Sequence, residues 1–100
     1  MIKHIVFWKV KEEVKGKKQA DLADEIRRKL EALPSQISEI IDFEVGFNFN
    51  PAGVAFEIAL YSTFSSKDAL QAYQVHPAHV EVKDFIVSVV KETAVVDYEV

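Results

Sequence analysis

The chain has 100 residues and a formal net charge of −4, and 49% of its residues are hydrophobic. This length and composition indicate one globular domain over residues 1–100. The acidic balance argues against a nucleic-acid-binding protein, and the absence of cysteine excludes disulfides and thiol chemistry.

The sequence does not predict a signal peptide or a membrane span. Charged residues interrupt the apolar residues near the N-terminus, unlike the core of a signal peptide. No apolar run approaches the roughly 20 residues of a membrane span. We therefore expect a cytoplasmic protein with no membrane partner.

The first third of the chain changes from strand to helix periodicity. Residues 2–10 alternate and predict a strand, with apolar residues on both sides. Residues 11–18 are rich in lysine and predict a solvated loop. From about Lys18 to Leu33, apolar residues recur at helical spacing, acidic residues come early and basic residues late, so a helix is predicted that ends before Pro34.

The middle of the chain predicts an antiparallel hairpin. Residues 37–49 and 54–64 alternate with period two, and residues 48–53 contain the Asn, Pro and Gly of a turn. One face of this hairpin is expected to be strongly apolar, with Ile41, Phe43, Val45, Phe47, Phe49, Val54, Phe56, Ile58, Leu60 and Phe64.

The last third predicts two helices and a strand. Ser65 or Ser66 is the expected cap of a helix that reaches about Gln74, a second helix runs from Pro77 to about Lys91, and residues 93–99 form the last strand. The resulting β-α-β-β-α-β order predicts an α+β, ferredoxin-like sandwich with an antiparallel sheet and its helices on one face.

The uncovered face of that sheet predicts a partner subunit. Helices on one side cover one face only, yet the strands carry apolar residues on both faces. A homodimer that joins two subunits through this sheet face would bury the second face and close a barrel.

The stretch from Tyr73 to Val80 holds the candidate chemistry. Pro77 suits the first turn of a helix and keeps His76 out of the helical region. The positive end of that helix is expected to lower the pKa of His76 or His79 and to favour the neutral imidazole, which can act as a base. Tyr73 on the preceding turn would supply a phenol. The alternative is that this His-Pro sequence only ends one helix and starts another.

This stretch also carries a family resemblance. Tyr-x-x-His-Pro-x-His-x-x-Val, at residues 73–82, resembles the signature of the stress-responsive α/β-barrel family, whose members are dimeric α+β barrels. Residues 2–11 resemble that family's first strand, and residues 95–99 its last strand. The resemblance covers essentially the whole chain and implies the same dimeric α/β barrel.

The resemblance leaves three functions open. The first is a small homodimeric protein of unassigned biochemical role that binds a small apolar or aromatic ligand beside Tyr73 and His79. The second is a cofactor-independent, polyketide-cyclase-like lyase, because some members resemble such cyclases. In that case His79 is the implied general base, oriented by Asp97 or a backbone carbonyl, and Tyr73 positions or protonates a substrate oxygen. The third is a cofactor-free monooxygenase of the antibiotic-biosynthesis type.

The other candidate ligand-binding residues are His4, His76 and Asp97. His4 lies in the first strand and can extend toward His79, although a histidine packed in the core is the alternative. We expect no metal site, because His76 and His79 are accompanied by neither an HExxH sequence nor cysteine ligands. No cofactor is expected either. The bulky side chains of Phe7, Trp8 and Phe85 are expected to narrow any cavity.

Overall fold

The order of the secondary-structure elements is the predicted one, with one added hairpin. The computed structural model describes all 100 residues. In chain order its elements are β1 (Ile2–Val10), β2 (Glu13–Val14), β3 (Lys17–Lys18), α1 (Gln19–Glu31), β4 (Asp42–Phe47), β5 (Ile58–Phe64), α2 (Lys67–Val75), α3 (Pro77–Val89) and β6 (Val90–Glu99).

The four long strands form one antiparallel sheet in the order β4-β5-β1-β6. The central strand β1 buries every second residue, and these side chains lie beneath the helices: Ile2, His4, Val6, Trp8 and Val10. This arrangement confirms the predicted α+β, ferredoxin-like fold.

Helix α1 packs on the sheet through a narrow apolar stripe. Leu22, Ile26 and Leu30 are spaced four residues apart and are all buried, as an amphipathic helix requires. Asp21 lies in the first turn and Lys29 in the last, where their charges oppose the helix dipole. Neither this helix nor any other is long and apolar enough to cross a membrane.

The loop predicted at residues 11–18 is instead the short hairpin β2–β3. Glu13 pairs with Lys18, and Val14 pairs with Lys17. The two residues between the strands, Lys15 and Gly16, have φ angles of 51° and 83°. Two successive positive φ angles are typical of the two-residue turns that match strand twist.

The two hairpin strands predicted in the middle of the chain are shorter than expected. The alternating phenylalanines continue to Phe49, but the strand ends at Phe47 because asparagine side chains turn the backbone. The Asn48 side chain accepts from the amide of Asn50, and the Asn50 side chain accepts from the amide of Ala52, both at 2.9 Å. Phe49 is consequently 98% exposed rather than part of an apolar face.

Residues 37–41, which include Ile37, Ile40 and Ile41, also lie outside the strands of the sheet. The Ile37 amide donates to the Leu33 carbonyl at 3.0 Å, which continues the turn that follows α1. The Ile37 side chain is buried in the core. Ile37 is apolar because it belongs to the core, Ile40 is partly buried against the core, and the predicted strand is wrong here.

The outer face of the sheet, which we define by residues 5, 7, 59, 61, 94, 96 and 98, has no helix over it. These positions alternate with the helix-facing residues along β1, β5 and β6. Phe7 is 40% exposed, Val96 56% and Tyr98 44%. An apolar surface of this kind on a sheet is typical of a protein interface.

Candidate ligand site between the helices and the sheet

The His-Pro sequence forms the junction between α2 and α3. The Ser66 hydroxyl caps α2 by accepting from the Ala69 amide at 3.1 Å. At the junction His76 is extended, with φ −62° and ψ 134°, and Pro77 is the first residue of α3. The His76 Nδ1 accepts from the Ala78 amide at 3.1 Å, so this histidine is an N-cap.

A cavity of about 520 Å³ lies between this junction and the sheet. Its walls come from α2, α3 and the helix-facing side of β1, β5 and β6, with Leu30 from α1. Ten of the sixteen lining residues are hydrophobic. Tyr73 is one of these ten and lines the cavity together with the polar His4 and His79, whereas His76 and Asp97 do not line it. The cavity therefore contains three of the five candidate residues.

Tyr73 fixes its ring in the core and leaves its hydroxyl facing the cavity. The residue is 1% exposed, and its ring lies 4.9 Å from the Phe64 ring and 4.4 Å from the His79 ring between centroids. The hydroxyl has no hydrogen-bond partner within the protein. Every fully buried side-chain oxygen or nitrogen has such a partner, so the Tyr73 hydroxyl is not fully buried and borders accessible space. Burial raises the pKa of Tyr73. The phenol is therefore a hydrogen-bond donor at neutral pH.

His79 is held as a neutral base beside that phenol. Its Nδ1 donates to the Gln74 carbonyl at 3.0 Å, which leaves the lone pair on Nε2. Burial lowers the pKa of His79 most, the bond to Gln74 opposes this, and the charges of His4, Lys83 and His76 lower it further. The pKa of His79 is lowered, as predicted, but the main cause is burial rather than the helix dipole.

Asp97 orients His4, and the Gln74 carbonyl orients His79. His4 and Asp97 are direct partners in the β1–β6 ladder, and the His4 Nδ1 donates to the Asp97 carboxylate. Of the two orienting groups expected for His79, the structure has the backbone carbonyl. The His4 and Tyr73 ring centroids are 6.1 Å apart, so His4 lies at the same end of the cavity as Tyr73.

Of the three bulky residues expected to narrow the cavity, only Trp8 lines it. Phe7 lies on the outer sheet face with its ring 6.2 Å from that of Phe56. Phe85 lies beneath the Lys29 ammonium on the side of α1. No group of three or more His, Cys, Asp or Glu side chains is placed to hold a metal ion.

The sequence reasoning missed the remaining polar residues of the cavity, namely Gln71, Gln74, Lys83 and Thr93. Lys83 resembles any other lysine of a solvated helix face. Its position four residues after His79 is the one available signal, because residues four apart share a helix face.

Comparison with known proteins assigns the family. Residues 2–100 match the model of the Stress responsive A/B Barrel Domain. The chain belongs to this family. A stress-response A/B barrel domain-containing protein of Arabidopsis thaliana is 34% identical over 98% of this chain and 85% of its own length. The predicted family is thus confirmed.

Solved structures share the fold of this A/B barrel domain. A dimeric protein of unknown function with a ferredoxin-like fold from Bacteroides fragilis has a TM-score of 0.86 at 37% identity, over 99% of this chain and 95% of its own. More distantly, a hydroxynitrile lyase from Passiflora edulis has a TM-score of 0.83 at 21% identity, over 97% of this chain and 90% of its own. An antibiotic biosynthesis monooxygenase reaches 0.79 at 15% identity, over 100% of this chain and 98% of its own. These last two show the fold alone, and the biochemical role stays unassigned.

Proposed function

We propose that this protein is a homodimer in which each subunit binds one small, largely apolar molecule carrying a carbonyl or hydroxyl oxygen. The cavity of about 520 Å³ has the size of a small-molecule site. Its predominantly hydrophobic lining suits an apolar body, and the rings of His4 and His79 lie beside Tyr73 at centroid distances of 6.1 Å and 4.4 Å. Such a site recognises the oxygen of an otherwise apolar ligand.

The observation that carries this proposal is the pairing of Tyr73 with His79. The Tyr73 phenol has a proton to donate and no partner in the protein, whereas the His79 Nε2 has a lone pair to offer. With ring centroids 4.4 Å apart, the two groups can meet the same end of one ligand. A hydroxyl can bond to both, and a carbonyl can accept from the phenol.

The same geometry favours proton transfer as a second function. The neutral His79 Nε2 can take a proton from the carbon beside a ligand carbonyl, while the Tyr73 hydroxyl donates to the carbonyl oxygen that gains negative charge. Returning the proton to a different carbon of the ligand would complete an isomerisation. If the enolate carbon instead attacks a second carbonyl carbon of the ligand, the proton goes to the new alkoxide and a ring is closed; if the enolate expels a group from the neighbouring carbon, the proton goes to that leaving group and a lyase reaction is complete, in each case without a cofactor. The tautomer set by the Gln74 carbonyl is the specific support for this cyclase-like or lyase-like activity.

The outer sheet face supports the homodimer. Phe7, Val96 and Tyr98 would be buried if two such faces packed together, which removes apolar surface from water. An isologous interface of this kind needs only one self-complementary patch. The relative from Bacteroides fragilis, described as dimeric, supports this assembly.

Titration calorimetry with butyrophenone, a neutral aryl ketone, tests the ligand site. We expect saturable binding to the unaltered protein and a Kd about threefold to tenfold higher for Tyr73→Phe, which loses one hydrogen bond. Tyr98→Phe is the control, because it removes a phenol on the outer face. If butyrophenone does not bind, or binds equally to all three proteins, the proposed site is wrong.

A further inference from the structure

We infer that the cavity selects an anionic ligand: an amphipathic carboxylic acid whose carboxylate pairs with Lys83 at the cavity mouth while its apolar body lies inside. This inference rests on the proposed ligand site and names the class of its ligand. It concerns a residue that neither the sequence signature nor the Tyr73–His79 pair includes.

The charge of the cavity lining is one-sided. Lys83 is the one Lys or Arg among the sixteen lining residues, and none of them is Asp or Glu. The whole chain carries 16 Asp and Glu against 12 Lys and Arg, so a lining without a carboxylate departs from the overall balance. A bound carboxylate would meet a cation and no like charge inside this cavity.

Lys83 has no partner in the protein. Its ammonium forms no ion pair and no hydrogen bond, although Glu81 and Asp84 are close in the sequence. By contrast, Glu25 on α1 pairs with both Lys17 of β3 and Lys29 of α1. The Lys83 ammonium is therefore available to a ligand, and binding would not break an existing ion pair.

The position of Lys83 sets the spacing between the two polar contacts of the ligand. Lys83 lies one turn after His79 on α3, and a helix rises about 5.4 Å per turn. A ligand with an oxygen at Tyr73 and His79 therefore needs a few bonds between that oxygen and its carboxylate. The Lys83 charge already reaches His79, because it contributes to lowering the pKa of that imidazole.

The rim of the cavity is apolar around this lysine. Val75, Val87 and Val95 line the cavity and are 61%, 62% and 57% exposed. A fully polar acid would gain nothing from these side chains, whereas an aryl or alkyl acid would cover them. The combination of one cation and an apolar rim fits an amphipathic acid.

Two nearly isosteric probes test this selectivity. Calorimetry would compare 4-oxo-4-phenylbutanoate, an acid, with 4-oxo-4-phenylbutanamide, its neutral amide. We expect the acid to bind about threefold to fivefold more tightly, the gain of one partly solvated ion pair. Lys83→Gln should abolish this preference without weakening the amide. Lys67→Gln, which removes an unpaired lysine outside the cavity, should leave the preference intact.

The outcomes separate this inference from the proposed function. If butyrophenone and the amide bind but the acid has no advantage, or if Lys83→Gln keeps that advantage, the role of Lys83 is overturned while the ligand site stands. If none of the three probes binds, the proposed site and the inference both fail. A second readout is the His79 ring: the acid, and not the amide, should raise its pKa in an NMR titration by neutralising the Lys83 charge.

Discussion

His4 and Asp97 face each other directly across the β1–β6 ladder, and their side chains are joined by a hydrogen bond from the imidazole Nδ1 to the carboxylate. In the neutral imidazole, this bond favours the tautomer with the proton on Nδ1. His79 has the same tautomer through the Gln74 carbonyl. Both histidines of the cavity are therefore oriented through Nδ1, and His79 presents the lone pair of Nε2 beside a phenol that presents a proton.

Substitution of Asp97 should change the tautomer of His4. In Asp97→Ala the Nδ1–H loses its acceptor, so the tautomer protonated on Nε2 becomes populated. Asp97→Asn is the matched control, since its amide oxygen still accepts. Nitrogen chemical shifts of the imidazole measure the tautomer directly. An unchanged tautomer in Asp97→Ala would show that Asp97 does not orient His4.

The two parts of Tyr73 should contribute very differently to stability. Tyr73→Phe removes only a hydroxyl without a protein partner, so the free energy of unfolding should change by less than about 0.5 kcal/mol. Tyr73→Ala empties a site packed against Phe64, and should cost about 3–5 kcal/mol. Urea denaturation measures both. A loss of more than about 2 kcal/mol in Tyr73→Phe would mean that the hydroxyl is a structural group.

The free energy of unfolding should decrease as the pH falls below neutral, because protonation of His79 is disfavoured in the folded state. Its pKa is lower than the ordinary value of 6.5, so between the folded-state pKa and 6.5 the unfolded chain binds more protons than the folded one. The resulting loss of stability is therefore absent above about pH 6.5 and complete below the folded-state pKa of His79. The charged or titratable groups around this imidazole are His4, Tyr73, His76 and Lys83.

Comparison with His79→Gln isolates that effect. Free energies of unfolding measured between about pH 5 and pH 7.5 should fall less steeply toward acid in the variant than in the unaltered protein. All other ionisable groups are common to both proteins, so the difference between the two slopes isolates the contribution of His79. Equal slopes would mean that the folded state does not disfavour protonation of His79.

A charge on the outer sheet face should dissociate the homodimer. In Val96→Glu a carboxylate would be buried between two subunits, which is costly without a partner. Val80→Glu is the control, because Val80 is 40% exposed on α3 and lies outside that face. Light scattering should give a monomer for Val96→Glu and a dimer for Val80→Glu. A dimer in both variants would place the interface elsewhere.

Local periodicity was sufficient to predict most elements, and local side-chain bonds explain where it failed. The spacing of Leu22, Ile26 and Leu30 predicts α1 because the whole stripe is buried. The alternation that reaches Phe49 predicts too long a strand because it does not reveal that Asn48 and Asn50 will bond to the backbone. The β2–β3 hairpin was missed because Lys15 has a positive φ, which residue preference does not anticipate.

Some features of the candidate site could likewise be predicted from the sequence, and others could not. The motif placed Tyr73 and His79 on opposite sides of a helix junction, and this local arrangement was predictable. The hydrogen bond between His4 and Asp97 joins residues that are 93 positions apart in the sequence, so it depends on the register in which β1 and β6 pair. The cavity is a gap in the packing between the helices and the sheet, and the periodicity of the sequence does not predict where such a gap lies.

The most direct test of the cavity as a ligand site is an NMR titration of the isotope-labelled protein with butyrophenone, followed at the His79 imidazole and the Tyr73 ring. We expect saturable shifts of both rings, with the Val95 methyl groups on the cavity wall shifting at the same ligand concentrations. Unshifted rings at saturating ketone, or shifts confined to Phe7, Val96 and Tyr98 on the outer sheet face, would contradict it.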